Sequence, residues 1–225
     1  MLTTESLFQS LRPLFIFIIC VMPFAGGLSC KSFQRSKAPV TRANPGTKRV
    51  LGNFKSVEGT SYLMAAIGSG EHGGYSYLSS YDYSYRGDAY NYVFFNTVDS
   101  SINMLLPNND YLIVQAISYP EKNDNGKATD PTKWFLYRLI KRDSNQDGNL
   151  SYNDLETLAI SDAGGKNYSE VISDVSLIFG RALRDENTLT VIYLKNSRKF
   201  YSIIDLINKE VSLTNELPSI GTDVQ

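Results

Sequence analysis

The chain has 225 residues, enough for one domain with a tail. Hydrophobic residues make up 42% and charged residues 20%, a globular rather than a disordered balance. Lys+Arg 22 against Asp+Glu 23 leaves a net charge of -1, which excludes a global basic field for nucleic acid. One His and two Cys exclude most zinc sites and any disulfide-stapled scaffold.

Near the N-terminus, residues 14–25 form an almost unbroken apolar run, with Arg12 before it and Gly26, Gly27 and Ser29 after it. A basic flank, an apolar core of about 7–15 residues and a small-residue exit are the parts of a secretory signal. A membrane span needs about 20 apolar residues, and Pro23 breaks this run near its end. The stretch Gly26-Gly27-Leu28-Ser29-Cys30 resembles the lipobox of bacterial lipoproteins, although Leu28 stands two residues before the cysteine where that family has leucine at three. The resemblance implies cleavage before Cys30, lipidation of its sulfur and a membrane anchor. Two acyl chains hold firmly, because each buried methylene contributes about 0.8 kcal/mol. A free Cys30 behind an ordinary or uncleaved signal is the alternative. Cys20 lies inside the apolar run and would be discarded with it.

The expected organisation is a lipoprotein-type signal over 1–29, a flexible basic tether over 30–49 and one all-β domain over 50–225. The expected location is the cell envelope, periplasmic or at the cell surface. The tether carries Lys31, Arg35, Lys37, Arg42, Lys48 and Arg49, with no acid until Glu58. It is either a solvated linker or a segment drawn to anionic headgroups, at about 1 kcal/mol per basic residue near such a surface.

From Val50 onward the pattern is that of strands. Short runs rich in Val, Ile, Tyr and Phe stand at 62–67, 90–95, 102–106, 111–118, 134–141, 158–161, 175–179, 189–194 and 200–207. Clusters of Asn, Asp, Gly and Pro separate them, which predicts an all-β fold, either partly propeller-like or a twisted β-sandwich. No segment has a helical period over three turns. Asn196-Ser197 marks the turn of a last hairpin. Tyrosines at 75, 77, 81, 83, 85, 90 and 92 fall largely two apart, a spacing that puts each group on one strand face. Such a face either packs across strands or stacks on a sugar or peptide.

Residues 143–154 read Asp-Ser-Asn-Gln-Asp-Gly-Asn-Leu-Ser-Tyr-Asn-Asp. Oxygen donors stand at positions 1, 3, 5, 7, 9 and 12, occupied by Asp143, Asn145, Asp147, Asn149, Ser151 and Asp154. Asn149 would offer its backbone carbonyl, and Ser151 a direct or water-mediated contact. Gly148 permits the sharp turn and Leu150 enters the core. The segment resembles an EF-hand-type calcium loop, and a hard divalent cation wants six to eight oxygens at about 2.3–2.6 Å. Asp at position 12 in place of Glu resembles loops of weaker calcium affinity or greater magnesium tolerance. The flanks are strand-like, so the loop is expected alone between two strands. A structural ion is expected, not a switch that opens a groove.

Around this loop, Leu136-Tyr137-Arg138-Leu139, Leu158-Ala159-Ile160-Ser161-Asp162 and Gly164-Gly165-Lys166-Asn167 resemble one blade of bacterial propeller-like exported proteins. At about 40–45 residues per blade, that resemblance leaves room for four blades at most.

An enzyme is not expected. His72 sits in a Gly-rich stretch without a nucleophile motif nearby, and G-x-S-x-G, H-E-x-x-H and a phosphate-binding loop are all absent. The expected function is calcium binding by a membrane-tethered β module that meets an envelope protein or a glycan. An exported hydrolase with dispersed catalytic residues and a purely structural envelope lipoprotein are the alternatives. A cleft lined by Tyr81, Tyr83 and Tyr85 with converging carboxylates would favour the hydrolase.

Overall fold

The structure is a computed structural model that describes residues 48–69, 85–120 and 130–218. These fall within the compact unit Lys37–Gln225. The signal run, Cys20, Cys30, His72 and the tyrosines at 75, 77, 81 and 83 lie outside the described residues, as does the side chain of Tyr85.

The described residues form strands and no helix: β1 Arg49–Leu51, β2 Lys55–Ser56, β3 Tyr62–Ser69, β4 Tyr85–Asn96, β5 Ile102–Met104, β6 Leu112–Tyr119, β7 Trp134–Ile140, β8 Glu156–Asp162, β9 Ser169–Val175, β10 Leu177–Asp185, β11 Thr188–Lys195, β12 Arg198–Asp205 and β13 Glu210–Glu216. The fold is all-β, as the alternating patterns require. A nine-stranded antiparallel sheet runs β1-β3-β4-β6-β7-β8-β9, with β2 beside β3 and β5 beside β4. A four-stranded sheet runs β10-β11-β12-β13.

Side chains alternate across β7, and the alternation builds two cores. Phe135 and Tyr137 join Met64, Tyr92 and Phe94 on one face of the large sheet. Leu136 points the other way and packs with Leu158, Ile160, Leu189, Val191 and Ile204, which lie in both sheets. Each such side chain contributes about 1.5–3 kcal/mol when fully buried, so this second cluster holds the two sheets together. Every residue of β6 is buried, which marks it as a strand covered on both faces. Burial also pushes the Tyr137 phenol above its ordinary range, while its hydroxyl shares a 2.9 Å hydrogen bond with Ser161.

The sheets meet at a corner. Only Ser176 separates β9 from β10, so the chain leaves the large sheet and enters the small one almost without a break. Ser176 N–H donates to the Leu194 carbonyl at 2.8 Å, which carries the β11 ladder up to the bend. Asp174 supplies a local kink at φ 60. Strands that switch sheets through a bend are how packed sheets turn a corner. The run predicted at 175–179 straddles this corner, because apolar content says nothing about where a strand changes sheets.

The large sheet also curls back on itself. The β8–β9 turn reaches β5, where Asn103 Nδ2 donates to the Gly164 carbonyl at 3.2 Å. A Cβ on Gly165 would lie 2.3 Å from Phe94 Cδ2 of β4. The segment before β7 closes against β2 and β3 in the same way, with Thr132 N–H donating to the Glu58 carbonyl at 2.9 Å.

One expectation about the tyrosines is overturned. Tyr90 and Tyr92 are both buried, but in different clusters and not on one face. Ile67 pairs with Asn91 and Gly68 with Ala89, so Tyr90 is the extra residue of a bulge. A bulge shifts the period by one and sends the residue to the opposite face.

Two ion pairs tie the root of the β7–β8 loop to β9: Lys141 to Glu170 and Arg142 to Asp174, both at 2.6 Å. The Arg142 guanidinium beside Asp174 holds that carboxyl below its ordinary value of 3.8. A carboxylate with a depressed folded pKa stabilises the fold above its unfolded value and loses that contribution as pH falls through the folded one. Both side chains are more than a third exposed, 55% and 38%, and solvent screens the pair. Arg142→Ala is therefore expected to cost less than about 1 kcal/mol at neutral pH. Urea unfolding should show the difference from the parent shrinking to nothing as pH drops below the carboxylate range. A constant difference down to that pH would mean the arginine acts through packing alone.

Candidate metal loop between β7 and β8

Ile140 of β7 pairs with Glu156 of β8, so residues 141–155 form a strand-to-strand connection, as the flanking composition predicts. Leu150 anchors its middle: it is 4% exposed and packs with Tyr90, Leu112, Val114 and Ile140. The anchor pulls the loop onto the sheet and buries both of its end carboxylates. Asp143 and Asp154 are each only 4% exposed, while Asn145, Asp147 and Asn149 face solvent.

Backbone N–H groups converge on the two buried carboxylates. Asp143 Oδ1 accepts from Asp147 N at 3.1 Å and Oδ2 from Gly148 N at 2.8 Å. Asp154 Oδ1 accepts from Ser144 N at 2.6 Å, Ser144 Oγ at 3.0 Å and Asn145 N at 3.2 Å. Asp154 Oδ2 accepts from Ser151 N at 2.9 Å. Between them runs a series of Asx turns, from Asn145 Oδ1 to Asp147 N at 3.0 Å and from Asp147 Oδ1 to Asn149 N at 2.9 Å. Gly148 sits at φ 91 with open space where a Cβ would point, so it is there for its backbone angle and not for clearance.

The charge balance of the loop is unusual. Lys141 and Arg142, the bases at its entrance, are committed to Glu170 and Asp174 of β9. Among the described residues, no ion pair involves Asp143, Asp147 or Asp154. Both buried carboxylates of the loop thus meet neutral donors only. Buried charges are ordinarily paired with a cation or coordinate a metal.

The donor set is hard oxygen throughout, which suits calcium or magnesium and not a softer metal. A carboxylate offers about four lone-pair sites. Asp143 has spent one site on each oxygen. Asp154 Oδ1 is saturated by three donors, which leaves Oδ2 to face an ion singly. Asp147 Oδ2 is engaged by Asn145 Nδ2 at 3.0 Å. Among the described residues no three of His, Cys, Asp or Glu gather as a metal-holding group. The fold buries Asp143 and Asp154, leaves Ser151 half-buried with its N–H on Asp154, and exposes Asn145, Asp147 and Asn149.

Sequence reasoning overlooked Ser144 and Glu156. Ser144 Oγ donates to Asp154 and accepts from Leu155 N at 2.8 Å, locking the two ends of the loop. Glu156 receives Arg138 Nε and Nη2, both at 2.6 Å, while Arg138 Nη1 donates to Gln115 at 3.2 Å. The position of Ser144 directly after the first Asp was the available signal. Nothing local announces the Arg138–Glu156 pair, which only strand register creates.

No family model matches the chain, and no curated protein does. Among solved structures it is similar to the β-propeller domain of the Trilobed protease from Pyrococcus furiosus, at 11% identity and a TM-score of 0.34 over 76% of this chain and 43% of that one. It is similar also to a luciferin-regenerating enzyme, at 12% identity and a TM-score of 0.35 over 80% of this chain and 64% of that one. The chain spans less than two thirds of either structure's length.

Proposed function

We propose that this protein is an exported calcium-binding β module, held at a membrane through a lipid on Cys30, that docks an envelope protein or a glycan. Its calcium fastens the β7–β8 loop. Asp143, Asp147 and Asp154 supply carboxylate oxygens, and Asn145, Ser151 and the Asn149 carbonyl complete the shell. The module is read as a binding protein and not as an enzyme. The observation that carries the calcium reading is the pair of buried aspartates without a cationic partner in a loop of ordered oxygen donors. A divalent ion held there would offset two of the three negative charges, while the neighbouring Lys141 and Arg142 are paired with Glu170 and Asp174.

Thermal unfolding with calcium, magnesium or chelator tests it. Binding to the native state raises stability by about 2.7 kcal/mol at a hundredfold excess over Kd. A calcium-dependent rise in Tm that disappears in the Asp143→Asn, Asp147→Asn double variant is the expected result. An unchanged Tm across millimolar calcium would leave a metal-free Asx-turn loop and end the proposal.

A further inference from the structure

One face of the large sheet is covered in two places and open in a third. The face that carries Leu136 packs under the small sheet, and its Ile140 packs under Leu150 of the loop. Tyr92 and Phe94 lie on the opposite face with Phe135 and Tyr137, so Val93 and Phe95 continue the Leu136 face into β4. Cross-strand partners share a face. Phe95 pairs with Ile102, Val93 with Met104 and with Ala65, and Ile67 with Leu51, which carries that face from β5 across to β1. Phe54, between β1 and β2, sets its ring edge-on to Phe95 at 6.5 Å. This end is left open: Leu51 is 50% exposed, Phe54 41%, Ile102 68% and Met104 44%.

Its chemistry narrows the partner. The β3 and β4 positions on it are Leu63, Ala65, Ile67, Val93 and Phe95, none with a hydrogen-bonding side chain. Glycans and small ligands are oriented by polar groups set among apolar ones, whereas acyl chains require none. The chain also enters this end through bases. Lys31, Arg35, Lys37, Arg42 and Lys48 precede β1, with no acid between Cys30 and Glu58. The one acid of the β4–β5 turn, Asp99, accepts from Ser101 N–H at 2.9 Å. Basic residues beside an apolar face are the combination that an anionic lipid surface attracts. Residues 31–48 span at most about 65 Å when fully extended. A lipid on Cys30 would therefore hold β1 within reach of the bilayer at high effective concentration.

We infer that the β1–β5 end of this face docks on an anionic lipid surface, with Leu51, Phe54, Ile102 and Met104 entering the boundary between headgroups and acyl chains. The inference rests on the lipid anchor at Cys30 proposed above.

The full lipidated chain is reconstituted into vesicles of phosphatidylglycerol and phosphatidylcholine, with a fluorescent reporter supplied by Ile102→Trp or, for comparison, by Phe179→Trp on the small sheet. The natural Trp134 stays, and the parent chain gives its contribution. Docked apolar faces sink about 5–10 Å into the headgroup boundary, so lipids brominated at that depth should quench the Ile102→Trp reporter at least about twofold more than the Phe179→Trp one. Leu51→Asp with Met104→Asp should remove this excess while the chain still floats with the vesicles. Leu51→Asp alone, at an edge-strand position, should remove part of it, so the test survives if the double variant does not fold. The excess should also shrink in phosphatidylcholine alone. Equal quenching of the two reporters, an excess that survives both variants, or one just as large in phosphatidylcholine would each overturn the inference. A reporter shift that follows protein density and ignores bromine would put a second copy on this face and overturn it too. A chain that does not float removes the anchor and the inference together, whereas flotation without the excess removes the inference alone.

Discussion

Asp154→Ala, measured by urea unfolding in chelator, should lower stability by about 3 kcal/mol, the effect of hydrogen bonds to a charged acceptor lost together. The Asp154 carboxylate accepts from the backbone of Ser144, Asn145 and Ser151, and from the Ser144 hydroxyl. Each bond to a charged group contributes about 1.5–3 kcal/mol, but the freed N–H groups lie near solvent, so the losses do not simply add. Asp147→Ala is the counterpart. Its exposed carboxylate accepts only from Asn149 N and Asn145 Nδ2, and the change should cost less than about 1 kcal/mol. Repeating both in millimolar calcium separates the roles. If the ion binds as proposed, Asp147→Ala becomes markedly more destabilising relative to the parent, because it forfeits the calcium-linked stability. If the two variants cost the same in chelator, Asp154 is not the acceptor that closes the loop.

Gly165→Ala should cost about 3 kcal/mol by the same measurement, from overpacking added to an unfavourable backbone angle. Its Cβ would lie 2.3 Å from Phe94 Cδ2 and 2.4 Å from Cε2, and its φ is +70. Phe94 is itself in the core, so the ring has little room to retreat. Gly148→Ala isolates the backbone part, because its φ is +91 with nothing near the new Cβ. That variant should cost about 1–2 kcal/mol, the penalty of a left-handed conformation alone. Adding Phe94→Leu to Gly165→Ala should recover part of the steric cost and none of the angular one. Equal losses for the two glycines would mean that the β8–β9 turn does not press on β4 in solution.

Much of this architecture was legible in the residues. The predicted runs at 62–67, 111–118, 134–141, 189–194 and 200–207 became β3, β6, β7, β11 and β12: β11 buries alternate residues and writes a period of two, while β6, buried throughout, reads as a continuous apolar run. The Asn196-Ser197 turn is a two-residue hairpin joining Lys195 to Arg198, with both turn residues at positive φ. Residues that tolerate that angle are themselves the signal. Strands that bury little were missed. β13 is exposed along most of its length and is held by pairing with β12, so its composition carries no apolar pattern.

Sequence by itself determined the local features: that the chain is built of strands, where its tight turns fall, and that residues 143–154 set oxygen donors in order between two of them. Each rests on neighbours within a few positions, whose preferences act before any long-range contact forms. Only the tertiary structure decided that β9 becomes β10 at Ser176, that a bulge parts Tyr90 from Tyr92, and that Arg138 meets Glu156. Those outcomes depend on register and on which sheet lies across from which. Residues far apart in the chain set them jointly, and no window of sequence contains both partners.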